Sequence, residues 1–244
     1  MKPLYKRILL KLSGEGLMGD KAFGMDDGVI RSLAAQIREV RGLGVEVCLV
    51  VGGGNIFRGA KEASKGLDRS VADQVGMLAT VMNALYLQNA LEKLGIEARV
   101  LSGLSIPEVC EDYIYRRALR HLQKNRVLIF AAGTGCPYFT TDTGAALRAS
   151  EMKCDALLKA TTRRSSDLTQ VDGVYDADPR QNAGAVKYNE ISYDEVISKG
   201  LGVMDLTAVS LAKDNRIPIV VFAQKGENAL LNAVTGQGEF TIIK

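Results

Sequence analysis

Short, almost uninterrupted apolar runs recur along the chain: RILLKL (7–12), VEVCLVV (45–51), RVLIFAA (126–132), DALLKA (155–160) and IPIVVF (217–222). A strand with no polar face has to be covered on both sides. Segments with helical periodicity separate most of these runs, and strands alternating with helices pair in parallel through crossovers. The pattern therefore predicts an α/β fold, a three-layer αβα sandwich with a mainly parallel central sheet.

Residues 26 to 41 carry Val29, Leu33, Ile37 and Val40 at helical spacing, with Asp26 or Asp27 as cap and Gly42 and Gly44 as terminators. A longer helix is expected from about Ser70 to Leu94, with Leu78, Val81 and Leu85 on one stripe. IEARVL reads as strand, 107 to 123 as helix, and TDTGAALRASEM (141–152) as helix. A polar loop of about twenty residues follows Ala160, longer than a compact domain holds without a use for it. Helices at 192–199 and 205–214, the strand IPIVVF, another helix and a terminal FTIIK strand complete the chain. With no repeat and no linker, 1–244 reads as one domain.

Composition excludes several classes. A net charge of +3, without a run of five like charges, is no nucleic-acid footprint. No apolar stretch is long enough for a bilayer, and the N-terminus lacks a signal-peptide pattern, so a cytoplasmic protein with no membrane partner is expected. Cys48, Cys110, Cys136 and Cys154 lack metal-ligand spacing and read as free thiols. The one histidine, His121, reads as a surface or helix-end residue, so a triad loses its usual base, and an HExxH site lacks its second histidine. No protein-held metal is expected.

In open parallel sheets, ligands bind beyond the carboxyl ends of the strands. The segments there are KLSG (11–14), GGGN (52–55), GTGCPYFTTD (133–142) and KATT (159–162). Bare peptide amides and helix starts in such places bind phosphate; a tight turn is the competing explanation for GGGN. Neither a GxxxxGK[ST] loop nor a GxGxxG fingerprint is present. Lys11 and Lys159 each interrupt an apolar strand, where an unpartnered charge is costly. Each could snorkel outward, pair with a structural carboxylate, or meet a bound polyanion. Asp142 suits a first helical turn, and its other reading is a carboxylate that holds two lysines. Thr140 or Thr141 would cap that helix. Arg58 could fork onto phosphate or face water.

KRILLKLSGE, VVGGGNIFRG, DQVGMLATVMNAL, AAGTGCPYFTTDT, VDGVYDADP and GVMDLTA, in this order over nearly the whole chain, resemble the bacterial UMP kinases of the amino acid kinase superfamily. The resemblance implies transfer of the ATP γ-phosphoryl group to UMP, with Mg2+ held mainly by the nucleotide phosphates, in a homohexamer with GTP and UTP as effectors. It implies that Lys11 and Lys159 stabilise the moving phosphoryl, with Asp142 organising them and Asp205 assisting. Lys11, Leu12, Ser13, Gly14, Gly54 and Arg58 would serve ATP, with Thr161, Tyr175 and Asp178 along its nucleoside. Gly53 and Arg58 would meet the UMP phosphate and Asp73 the ribose. Thr134, Gly135, Cys136, Pro137, Tyr138, Phe139, Thr140 and Thr141 would surround uracil. Residues 1–155 would form the UMP side and 156–244 the ATP side of one continuous sheet. Gly19, Asp20, Lys21, Ala22, Phe23 and Gly24 match the segment linked to GTP activation in some members; an ordinary flexible loop is the other reading.

Two departures stand out. Where the family pattern has asparagine, this chain has Cys136, a weak donor and acceptor at the expected pyrimidine edge. Where ATKVDGV is expected, it reads ATTRRSSDLTQVDGV (160–174), which leaves Thr161 and Thr169 as alternatives for the matching threonine. Arg163 and Arg164 in this insertion would face nucleotide phosphate, a neighbouring subunit or water. Two competitors remain: a sibling kinase acting on a carboxylate or carbamate, and a sensor that binds nucleotide without turnover. Asp73 and the hydroxyl-rich 134–141 stretch favour a nucleoside over a small acid.

Overall fold

A computed structural model describes residues 1–58, 66–162, 171–179, 181–182, 184–226 and 228–244. β1 (Arg7–Leu12) runs through a single 3-10 turn (Gly14–Leu17) to α1 (Asp27–Gly42), β2 (Glu46–Val51) and the long α2 (Arg69–Lys93). Next come β3 (Ala98–Ser102), β4 (Glu111–Asp112), α3 (Tyr115–Gln123), β5 (Val127–Ala131), α4 (Thr141–Glu151) and β6 (Ala156–Thr161). Three two-residue strands follow, β7 (Val174–Tyr175), β8 (Lys187–Tyr188) and β9 (Glu190–Ile191). The chain ends with α5 (Tyr193–Ser198), α6 (Leu206–Asp214), β10 (Ile219–Ala223), α7 (Ala229–Thr235) and β11 (Phe240–Ile243).

Nine strands form one sheet in the order β4-β3-β5-β2-β1-β6-β10-β11-β9, and β7 pairs with β8 apart from it. Within the large sheet only β10 and β11 run antiparallel. Strand alternation sorts the core into two layers. Ile8, Leu10 and Leu12 point to the face packed by α1, α2 and α7, while Leu9, Cys48, Val50 and Leu157 point to the face packed by α3, α4, α5 and α6. The three-layer sandwich expected from the sequence is thus the fold observed. From the sheet centre, β1 connects toward β2 on one side, whereas β6 leads toward β10 on the other. That divergence leaves a crevice above the carboxyl ends of β1 and β6, where ligands bind in such sheets.

Some expectations fail locally. Residues 107–114 are not helical: Tyr113 N–H bonds to Ser102 O and β4 pairs with the end of β3, because the open sheet edge takes these backbone groups before the helix starts. On α2, Val81 is buried but Leu78 is 48% exposed, so the two do not share an inward stripe. This helix is apolar nearly all round, and its periodicity could not say which side faces in. The buried side carries Met77, Val81, Ala84, Leu87 and Leu91; Val71, Val75, Leu78, Met82 and Tyr86 lie outward. His121 does sit in the last turn of a helix, but buried, between Glu111 and Arg126.

Candidate active site

Lys11 on β1 and Lys159 on β6 are direct neighbours in register and project from the same face of the sheet. Their side chains are only 4% and 14% exposed. Like charges placed opposite each other on adjacent strands repel. Asp142, in the first turn of α4, resolves the conflict: its Oδ1 lies 2.9 Å from Lys11 Nζ, and Lys159 Nζ donates to Oδ1 at 2.6 Å and Oδ2 at 2.7 Å. Burial alone would raise the Asp142 carboxyl, yet the charges and hydrogen bonds of the two lysines hold it well below the usual carboxylate range. For Lys159, burial and then the charge of Lys11 win over the pull of Asp142, and its pKa is lowered to about 8. The cluster of two ammonium groups and one carboxylate carries a net positive charge.

Of the two candidate caps, Thr140 is the one used. Its hydroxyl oxygen accepts from Asp142 N–H at 3.0 Å and Thr143 N–H at 3.3 Å, and the hydroxyl donates to Asp205. Asp205 also accepts from Thr143 Oγ1 at 2.9 Å and caps α6 through Ala208 N–H at 2.9 Å. It therefore fastens the N-termini of α4 and α6 together beside the lysine pair.

The glycine turn is wedged between elements of the protein itself. A Cβ on Gly53 would come within 2.9 Å of Gly76 O and of Ala79 Cβ on α2, and one on Gly14 within 2.6 Å of Gly54 N. Packing thus demands glycine at 14 and 53, and phosphate approach is not needed to explain them. Gly54 differs, because a Cβ there would have its nearest neighbour, Glu15 Cγ, at 3.6 Å. Behind the turn, buried Asn55 and Asn83 exchange amide hydrogen bonds of 2.9 and 2.7 Å, and Asn83 donates to Gly52 O at 2.7 Å. Arg58 reaches back to Glu15 at 3.0 Å and donates to Gly54 O at 3.2 Å. Leu12 O accepts from Gly52 N–H, which ties the KLSG segment to the same turn, and Ser13 O accepts from Gly16 N–H within the 3-10 turn.

Beside the lysine cluster is a cavity of about 230 Å³. It gathers Gly53, Asp73, Thr134, Cys136, Phe139, Thr140 and Thr141, together with Arg69, Gly76 and Thr80. Three residues of the 134–141 stretch are not in its wall. Gly135 makes a turn against Gly103, with φ +79° and room for no Cβ; Pro137 is not in the wall, and Tyr138 reaches Asp73 through a backbone bond.

The remaining sequence candidates lie apart from this cavity. The Thr161 hydroxyl lies within hydrogen-bonding reach of Val171 O and Phe222 O and donates its one proton between them, Tyr175 donates to Asp172 at 2.6 Å, and Asp178 O accepts from Gln181 and Asn182 N–H. Arg163, Arg164 and Thr169 fall outside the described residues. Gly19 and Asp20 line a second cavity of about 650 Å³ between α1 and the loop after β10. Gly24 joins the glycine turn instead, trading hydrogen bonds with the Asn55 backbone and side chain, while Lys21, Ala22 and Phe23 are exposed.

Sequence reasoning overlooked Arg69, Thr80 and Asn83. Thr80 Oγ1 accepts from Ala132 N–H at 2.7 Å and so holds the end of β5, as Asn83 holds the end of β2. Polar residues three apart in an otherwise apolar stretch, LATVMNAL, were the available signal.

A mainly parallel sheet covered by helices on both faces, with paired lysines and a shared carboxylate at the strand ends of its centre, is an α/β architecture whose site carries net positive charge. The amino acid kinase family profile matches residues 6–223, and this chain belongs to that family. A uridylate kinase of Paramagnetospirillum magneticum is 56% identical over 239 residues, spanning 98% of this chain and 96% of the relative. One of Hyphomonas neptunium is 57% identical, spanning 98% and 92%. Among solved structures, the UMP kinase from Ureaplasma parvum superposes with a TM-score of 0.90 at 36% identity, over 100% of both chains.

Proposed function

We propose that this protein is a nucleoside monophosphate kinase that transfers the γ-phosphoryl group of ATP to UMP, giving UDP and ADP in pyrimidine nucleotide biosynthesis. The observation that carries the reading is the Lys11–Asp142–Lys159 cluster at the ends of β1 and β6, adjoining a cavity walled by Asp73 and hydroxyl-bearing residues. Phosphoryl transfer spreads negative charge over the moving group, so fixed cations and in-line positioning do most of the work. Lys11 and Lys159 stabilise that charge, Asp142 sets their positions, and Asp205 holds α4 in place through Thr140 and Thr143. Gly54 offers its amide to ATP phosphates and Gly53 to the acceptor phosphate, with Arg58 swinging from Glu15 toward them. Asp73 takes the ribose, and 134–141 the base. Leu12, Ser13 and Gly14 flank the ATP phosphates; Thr161, Tyr175 and Asp178 flank its nucleoside.

Magnesium is held mainly by the nucleotide phosphates in this reading. Both Asp142 oxygens are engaged by lysine, so in this reading that carboxylate serves the lysines and the ion rests on the phosphates. When bound, the ion would supply positive charge against the phosphate groups of the nucleotide. The chain acts as one domain, with the UMP side before residue 155 and the ATP side after it. A homohexamer needs exposed apolar surface, and the Val71, Val75, Leu78, Met82 and Tyr86 stripe supplies some. GTP and UTP are the effectors proposed, with 19–24 as the responsive segment. Four free thiols fit a cytoplasmic location, and no helix among the described residues is long and apolar enough to cross a membrane.

A coupled assay of ADP release with ATP, magnesium and UMP tests the reading, with CMP and a small carboxylate as alternative acceptors. Turnover with UMP is expected. UMP binding without ADP release would establish a sensor, and release with the carboxylate alone a sibling kinase.

A further inference from the structure

Arg69 and Tyr138 converge on one oxygen of Asp73. Arg69 Nε donates to Asp73 Oδ2 at 2.8 Å across one turn of α2, and Tyr138 N–H donates to the same oxygen at 2.8 Å from the far side of the cavity. The Arg69 guanidinium also sits 5.6 Å from the Tyr138 ring centroid, and Ser70 Oγ lies 3.4 Å from the Tyr138 hydroxyl. These contacts join the start of α2 to the loop after β5 across the mouth of the cavity. Tyr138 holds φ at +70°, a region that a bulky side chain rarely adopts. Backbone in such a conformation persists where its surroundings over-determine it. Here the bond to Asp73 is one of those determinants.

As a fold-stabilising device the arrangement is poor. The Arg69 side chain is 47% exposed, and an exposed ion pair contributes little to stability. As a positioning device it is well made, since among the described residues both hydrogen bonds to the Asp73 carboxylate fall on Oδ2 and its side chain is only 15% exposed. Oδ1 is left to accept from a ligand in the cavity that Asp73 and Arg69 both line.

We propose that Arg69 and Tyr138 form a clasp on Asp73 that fixes one carboxylate oxygen so that the other is presented to a sugar hydroxyl of the acceptor nucleotide. Arg69 is then a positioning residue for the acceptor, acting through Asp73. This rests on the UMP kinase reading above. A hydroxyl donating to a pre-oriented carboxylate is a charge-assisted bond, and a free carboxylate must lose rotamer freedom to make the same bond.

The test measures kcat and KM for each nucleotide, the UMP to 2′-deoxyUMP preference, and the melting temperature, for wild type, Arg69→Gln and Arg69→Lys. Arg69→Gln is expected to raise KM for UMP about 10-fold, as loss of one charge-assisted contact does. KM for ATP and the melting temperature should hold, and the preference for UMP over its deoxy analogue should shrink. Arg69→Lys, which keeps the charge but not the planar fork, should recover most of the loss and carries the test if the glutamine variant does not fold. A UMP KM within two-fold of wild type in Arg69→Gln, or KM values for both nucleotides rising together, would overturn the clasp. Wild-type protein inert toward UMP would remove the underlying reading and the clasp with it; active wild type beside an indifferent Arg69→Gln removes the clasp alone.

Discussion

The centre of the sheet and the β7–β8 hairpin hold polar groups by opposite means. At the centre, Lys11 and Lys159 ride on six-residue strands whose side chains are almost all buried, and their separation is set by the register of a parallel ladder. In the hairpin, Tyr175 and Lys187 ride on two-residue strands, and their partners Asp172 and Glu239 are side chains in partial contact with water. Groups fixed by a packed core cannot drift without disturbing it, whereas groups on short exposed strands shift at small cost. Phosphoryl transfer needs the first kind of support and nucleoside recognition tolerates the second. Of the two departures from the family pattern, Cys136 falls on the loop after β5, and the inserted residues fall largely outside the described ones.

The contrast is tested hardest by Asp142→Ala. It leaves two nearly buried ammonium groups side by side without their counter-charge, and breaking a buried ion pair typically costs about 3–5 kcal/mol. Urea denaturation should show a loss of that order together with loss of turnover. Saturating ATP should restore part of the stability by linkage, since its phosphates supply the missing negative charge. A variant as stable as wild type would mean that the centre is no more rigidly determined than the hairpin.

Lys11→Ala separates activity from stability at the same place. One lysine and one carboxylate remain, so no charge is stranded and the fold should survive. Turnover should nonetheless fall at least ~100-fold, the usual consequence of removing a transition-state charge donor. Single-turnover kinetics would check this, and an unchanged rate would deny Lys11 its role.

A smaller effect is expected from pH. With its pKa lowered to about 8, Lys159 loses its proton within the assayable range. In the free enzyme, kcat/KM for ATP should therefore decline as pH rises through about 8. The decline in kcat at saturating ATP should come at higher pH, because bound phosphate favours the ammonium. The stability sign is opposite. Below pH about 8 Lys159 is charged in folded and unfolded chains alike, so the folded state bears the full cost of crowding. Between there and the ordinary value of 10.5 the unfolded chain holds the extra proton, and the contribution of this group to stability grows. A flat kcat/KM between pH 7 and 9.5 would show that Lys159 is not titrating at the site.

Much of the centre could be read directly from the chain, because a lysine inside ILLKL or DALLKA is conspicuous against apolar neighbours. That the two lysines are direct neighbours could not be read, since strand order brings together segments nearly 150 residues apart. The glycine run was legible as a tight turn or a phosphate site, but not the packing behind it: Gly53 answers to α2, a contact no local pattern announces. The α2 stripe failed for a related reason, as a helix apolar on several faces does not declare its orientation. The Asp73 clasp was half visible, because Asp73 and Tyr138 were named without the backbone bond that joins them.

The mildest and most discriminating change is Cys136→Asn. The Cys136 side chain belongs to the cavity wall, while its backbone N–H and carbonyl are both tied to the Thr134 hydroxyl at 3.2 and 3.3 Å. Exchanging the side chain therefore leaves the loop where it is. A thiol offers a pyrimidine edge only weak hydrogen bonding, whereas an amide offers a donor and an acceptor together. UMP should bind about 5- to 10-fold more tightly by calorimetry, the gain of one good hydrogen bond, with kcat almost unaltered. Equal or weaker binding would mean that position 136 does not read the base. A change in kcat as large as the change in affinity would be more damaging, for it would show that a substitution on the loop reaches the lysine pair, and the division between a fixed centre and an adjustable flank would fail.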